Sequence, residues 1–354
     1  MKKLFSIIML GVVMSFYSCD DIFELDLLED PNNPTPETAD LESLYNSVQL
    51  EFEDFLRAPQ FFTMQLSRQI AFTAGNVYET AFSPINFDNT WVQAYSGFLP
   101  DAAAVIELAS PTQQFVHVGS TQIMQAYVMT SLVDLFVNVP FDEAGLGIDV
   151  LSPQSQDGQE VYAAATELLN TAIANLEANT ADGPDSDIMY NGSADSWIAA
   201  ANSLLLRIAV ANRDQAAFNA IIDAGNFITD EAGDFQFEYG PNRANPDSRH
   251  PLYADHYEAA DGAYLGNWYM WAMSEDKDVI DPRARAYFYR QVAEVPLDNL
   301  NRFDCIFSVL PDPAATPDHY LACNREMPYC VGSLNQGYYG RCLLYTSPSP
   351  RDRG

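Results

Sequence analysis

The side chains able to do chemistry fall into a few groups, and most of them fail as catalytic sets. His250 and His256 flank Asp255, but a separation of six matches neither the i, i+4 pair of a helical metal site nor a zinc-finger pair, so no metal is expected there. Asp182, Asp185 and Asp187 lie close together around Gly183 and Pro184. They do not meet the twelve-residue calcium-loop pattern, and a solvated turn is the expected reading. Gly145 and Gly147 open a dinucleotide fingerprint that stops at Val150, where the third glycine should stand. Neither a Gly-Lys-Ser/Thr phosphate loop nor a Gly-x-Ser-x-Gly elbow occurs. Among 49 Asp and Glu, carboxylate pairs arise by chance and do not argue for glycosidase chemistry. Hence no catalytic residue, cofactor or metal is expected.

Two sets of aromatic and amide side chains remain. One is Asn76, Tyr78, Asn89 and Trp91, in a turn-rich stretch between helices. The other is Tyr264, Asn267, Trp268, Tyr269 and Trp271, the densest aromatic patch in the chain. Aromatic rings stack on the apolar faces of sugar rings while amides and carboxylates bind hydroxyls, so both sets are ligand-binding candidates. Core packing competes with that reading. It is favoured for Trp91 and Trp197, which sit at helical positions, and stands level with binding for Trp268 and Trp271.

The elements that must position these groups are mostly helices. Leu41, Leu44, Tyr45, Val48 and Phe52 recur at helical spacing, and Ile123, Tyr127, Thr130 and Leu135 lie in an apolar run that reads as a buried helix. Val161 to Leu176 is amphipathic, and Trp197 to Ala209 continues the pattern. Ser-Pro and Asp-Gly-Pro clusters separate these stretches. The expected organisation is a helical-repeat scaffold over 41–229 and a loop-rich, ligand-binding part over 230–341, although no strict 34-residue period is present.

The ends read differently. Residues 1–18 resemble a lipoprotein signal peptide, with Lys2 and Lys3 before an apolar run too short to span a membrane, and Phe16-Tyr17-Ser18-Cys19 resembles a lipobox with Cys19 as the acylated residue. Residues 19–40 read as an acidic, proline-rich lipidated tether. The residues Asp20 and Asp21 resemble the surface-export signal of Bacteroidetes lipoproteins. At the other end, Cys342 to Asp352 resembles a translated sequencing-library adapter. Residues 342–354 are therefore expected to be an artefact, and the loop-rich part before them incomplete. Of the cysteines left, Cys323 and Cys330 are the simplest disulfide candidates, with Cys305 as the odd thiol.

Composition limits the partners. Seventeen Lys and Arg against 49 Asp and Glu give a formal net charge of −32, which excludes ordinary nucleic-acid binding. At 48% hydrophobic residues the chain has ample core material. So acidic a chain disfavours sulfated or uronic-acid ligands unless Arg243, Arg249, Arg283 and Arg285 gather at the site.

Several phrases together resemble the SusD/RagB family of outer-membrane nutrient-binding lipoproteins. Leu132 to Ala144 is similar to the family's Asp-x-Phe-Gly-x-x-Pro-Tyr-x-Glu-Ala stretch, with Val137 at the glycine position and Phe141 at the tyrosine. Trp197 to Ala209 is similar to its Trp-x-x-x-Ala-Asn helix with Arg207 near the end. Asp281-Pro282-Arg283 matches its Asp-Pro-Arg turn, and Gly337 to Arg341 its late Gly-Arg segment. The Asp-x-Phe and Asp-Pro-Arg phrases are expected to be structural, through turn geometry and buried charge-assisted hydrogen bonds. The resemblance implies a mostly α protein, with tetratricopeptide-like helix pairs packed against a loop-rich segment. It also implies a lipid anchor through Cys19 at the cell surface of the outer membrane and a SusC-like TonB-dependent transporter as partner. The implied ligand is an oligosaccharide. Alternatives are a peptide on the same scaffold or a surface glycoside hydrolase.

Overall fold

The computed structural model describes residues 40–70, 82–144 and 150–251, together with 266, 269, 272–273, 281 and 283. Cys19, Asn76, Tyr78, Tyr264, Asn267, Trp268, Trp271, Cys305, Cys323 and Cys330 lie outside them, as do the proposed signal, the tether up to residue 39 and the terminal segment.

The described chain is mostly helical. Helix α1 runs Leu41–Leu66, α2 Asp88–Val92, α3 Leu99–Ala109, α4 Phe115–Phe136, α5 Gly158–Glu177, α6 Ala194–Ala211 and α7 Gln215–Ala224. A π-helical turn, Gln93–Phe98, separates α2 from α3. The strands β1 (Val139–Pro140) and β2 (Ser155–Gln156) form one short antiparallel pair, with Val139 opposite Gln156. The chain divides into two compact units, Met1–Leu50 with Leu99–Asp234, and Glu51–Phe98 with Phe235–Gly354. The second does not follow the 229/230 boundary alone, because Glu51–Phe98 falls with the later residues.

In the first unit α4 is the central helix. Fifteen of its 22 residues are buried, His117, Ser120, Thr121, Gln122 and Thr130 among them, so it is covered on nearly every side. It packs on α3 and α5; α5 then packs on α6, and α6 on α7. Gly119 makes the α4–α5 approach possible, since a Cβ there would lie 2.6 Å from Leu176 Cγ. Local signals set the helix starts. Asp157 caps α5 through Gln159 N–H at 2.8 Å, and Asp214 caps α7 through Ala216 and Ala217 at 3.0 Å. Gly225, at φ 73°, ends α7.

Polar side chains tie the loop before α6 into this core. Gln49 donates to Ser186 O at 2.9 Å and accepts from Ile188 N–H at 2.8 Å. Glu42 accepts from Ser186 Oγ at 2.7 Å and meets His117 Nε2 at 2.8 Å. The expectation of a solvated turn over Asp182–Asp187 needs correcting. Asp182 and Asp185 are exposed, but Asp187 is 3% exposed. Its Oδ1 accepts from Met189 and Tyr190 N–H at 3.0 and 3.2 Å, and its Oδ2 from Gly192 N–H and Trp197 Nε1, both at 2.8 Å. A buried carboxylate is tolerated because four donors replace its lost water.

Two of the family phrases meet in this unit. Arg207 on α6 donates to Asp134 at the end of α4, and Tyr162 on α5 donates to the same carboxylate. The pair is partly exposed, with side-chain exposures of 39% and 37%, rather than buried as expected. Val137, next in the chain after α4, has φ 69° and ψ −62°, and Asn138 N–H donates to Phe136 O at 2.8 Å across it. This is a γ-turn, strained for a β-branched residue, at the position where the family pattern has glycine.

Candidate functional site

Of the candidate binding residues, Asn89, Trp91 and Tyr269 are described, and all three belong to the second unit. Its frame is the second part of α1. Phe52 and Phe55 are buried there, and the extended segment after Asp234 alternates Phe235, Phe237 and Tyr239 as its less exposed positions. Phe235 packs on Phe52 at 5.6 Å, and the Tyr239 hydroxyl donates to Glu53. Burial outweighs that hydrogen bond and pushes the Glu53 carboxyl up from its ordinary value. His250 packs on the Tyr239 ring at 4.6 Å. Its expected neighbours Asp255 and His256 lie outside the described residues.

The stretch containing Asn89 and Trp91 begins at a 3-10 turn, Pro84–Phe87, with Pro84 at its first position and Ser83 N–H donating to Asn86 Oδ1 at 2.8 Å. Phe82 and Phe87 hold this turn against α1 through Phe62, at 4.8 and 5.5 Å. From there Thr90, Ala94 and Phe98 are buried. A spacing of four drifts around an α-helix of 3.6 residues per turn, and the wider π turn at Gln93–Phe98 takes up that drift, so all three stay on one face. Phe98 then packs on Phe52 at 5.9 Å.

Trp91 and Tyr95 follow one residue behind that buried stripe and share the next. Their rings lie 5.5 Å apart at 12°, a parallel stack, and both are half-buried. Trp91 is half-buried, whereas Trp197 is fully buried as its helical position suggests. Burial also pushes the Tyr95 hydroxyl well up, so it stays a neutral donor through the physiological range. Asn89 stands exposed two residues before Trp91, beside exposed Val92 and Ile85. Tyr95 was not among the sequence candidates. The i, i+4 relation to Trp91 was the signal available for it.

Tyr269 is half-buried, and its N–H donates to Gly266 O at 3.1 Å. Gly266 in turn donates to Gln69 O at 2.7 Å, and a Cβ on it would lie 2.1 Å from Arg68 O. This position accepts only glycine, because two backbones meet there. Asp281 and Arg283 form the expected turn: Arg283 N–H donates to Asp281 Oδ1 at 3.0 Å, and its guanidinium closes on both carboxylate oxygens at 2.9 and 2.6 Å. Among the described residues no three His, Cys, Asp or Glu side chains are grouped to hold a metal ion. No described helix is long and apolar enough to cross a membrane.

The arrangement presents an aromatic stack with exposed amide and apolar neighbours on a rigid helical frame. That chemistry suits adsorption of a ring-shaped, hydroxyl-bearing ligand.

Comparison with known proteins agrees on the fold. The chain is similar to a SusD/RagB family protein from Bacteroides thetaiotaomicron, at 22% identity and a TM-score of 0.58, covering 71% of this chain and 54% of that one. A SusD homolog from Bacteroides fragilis matches at 19% identity and a TM-score of 0.54, covering 71% and 53%. A chitin-binding protein matches at 16% identity and a TM-score of 0.58, covering 71% and 55%. The chain thus spans about half the length of these solved relatives. Among curated proteins none matches. A SusD-like family model, described as starch-binding and associating with the outer membrane, matches residues 31–301, and the chain belongs to that family.

Proposed function

We propose that this chain is a cell-surface nutrient-binding lipoprotein. It captures oligosaccharides without breaking a bond and passes them to a SusC-like TonB-dependent transporter in the outer membrane. Cys19 supplies the anchor, since several acyl chains on one residue give stable membrane attachment. The observation that carries the ligand class is the half-buried Trp91–Tyr95 stack, at 5.5 Å and 12°. Rings held parallel lose little further freedom when a pyranose face settles on them. Asn89 and Tyr269 are the other described candidates, and Asn76, Tyr78, Tyr264, Asn267, Trp268 and Trp271 complete the proposed site.

Isothermal titration against a panel of polysaccharides tests the reading. The native protein should bind at least one glycan and release no oligosaccharide from it. The double variant Trp91→Ala, Tyr95→Ala should lose that binding while keeping its thermal transition. Binding of peptides but no glycan would replace the cargo, and sustained release of sugar products would make the protein a hydrolase.

A further inference from the structure

We infer that the glycan taken by this protein is uncharged, and that sulfated or uronic-acid-rich polymers are refused. The inference rests on the capture reading above and adds the charge class of the ligand.

Four of the seven described arginines, Arg57, Arg207, Arg249 and Arg283, are engaged by carboxylates of their own chain. Arg249 closes on Asp247 with its backbone N–H at 3.0 Å, Nε at 2.9 Å and Nη2 at 2.6 Å. Arg249 and then Arg243 push the Asp247 carboxyl down to about 2, so it is ionised at neutral pH. Arg283 closes on Asp281 in the same geometry. Arg57 sits between Asp54 and Glu53, and Arg207, in the other unit, is paired with Asp134. Arg57, Arg68, Arg243, Arg249 and Arg283 are the described arginines of the unit that holds the Trp91–Tyr95 stack, and none of them is without a partner.

A guanidinium is selective for sulfate and carboxylate because its fork offers parallel donors to two oxygens. In Arg249 and Arg283 that fork is already occupied. An anionic ligand could claim it only by displacing Asp247 or Asp281, so the new contact replaces an existing one and the net gain is small. Beyond contact distance the net charge of −32 repels a polyanion, an effect that weakens with salt. A neutral glycan meets neither cost. Stacking and hydroxyl hydrogen bonds operate for it unopposed.

The test is calorimetric titration of the full chain with neutral polymers (starch, laminarin, xylan, chitooligosaccharides) and anionic ones (alginate, polygalacturonate, carrageenan), at low and high salt. The expected result is binding of a neutral glycan whose affinity changes by less than about twofold with salt, and at least about tenfold weaker binding of every anionic polymer. An anionic polymer that binds as tightly as any neutral one, and loses affinity as salt rises, overturns the inference while leaving glycan capture intact. A protein that binds neither class overturns the capture reading and the inference with it.

Discussion

Arg207 Nη2 donates to Asp134 Oδ2, joining α6 to the last turn of α4 across 73 residues of chain. The same guanidinium lies 4.9 Å over the Tyr127 ring, and the same carboxylate accepts from the Tyr162 hydroxyl. Two family phrases are thus two halves of one contact. Tyr162 is pushed up to about 12, first by burial and then by Asp134, so it remains a donor through the physiological range.

The pair is partly exposed, which limits its worth. Asp134→Ala and Arg207→Ala should each cost about 1–2 kcal/mol, with a coupling of about 0.5–1 kcal/mol in the double-mutant cycle. Arg207→Lys should recover little, because lysine neither forms the fork nor stacks on Tyr127. Urea denaturation measures all four proteins. A coupling near zero would mean that Tyr162 alone satisfies Asp134.

The Asp187 clasp is a stronger case, because the carboxylate is buried and all of its donors belong to one loop and Trp197. Asp187→Asn keeps the shape but turns an amide N–H₂ toward backbone N–H groups. The expected loss is about 2–4 kcal/mol, read as a fall in Tm. A variant as stable as the parent would show that water fills the acceptor's place.

How far these contacts were legible depends on their range. Helix positions, the buried Trp197 and the Asp281–Arg283 turn follow from spacing and turn chemistry within a few residues. The burial of Asp187 is not legible, because its partners are mostly backbone N–H groups, which a sequence does not display. A 3.6-residue periodicity does not display the π turn: the interval of four at Thr90, Ala94 and Phe98 needs a wider turn, which leaves Trp91 half-buried on the next stripe. Asp134 and Arg207 were each visible as motif residues. Only the packing of α4, α5 and α6 brings them together.

Val137 offers a gain rather than a loss. Its φ of 69° with ψ of −62° costs a β-branched residue about 1–3 kcal/mol, and its side chain, 68% exposed, returns little packing. Val137→Gly removes the strain but adds chain entropy to the unfolded state, about 0.5–1 kcal/mol. The expected net effect is a stabilisation of about 1 kcal/mol, seen as a Tm rise of a few degrees. A lower Tm would show that the valine side chain packs in solution.

The Glu42 contacts predict an acid-side dependence. Burial alone would raise its pKa, but hydrogen bonds from Ser186 and His117 and the charge of His117 outweigh it, so the folded value lies below the ordinary one. A carboxyl with a lowered folded pKa contributes stability that is fully present above the unfolded pKa and is lost as pH falls through the folded one. Glu53 and Asp101 are shifted upward by burial and act in the opposite sense, so the comparison must be between Glu42→Gln and the parent rather than along one curve. Glu42→Gln should cost stability at neutral pH, and the gap to the parent should close as pH drops below about 4.5. Denaturant midpoints between neutrality and acid measure it. A gap that stays constant would place the role of Glu42 in its shape and not in its charge.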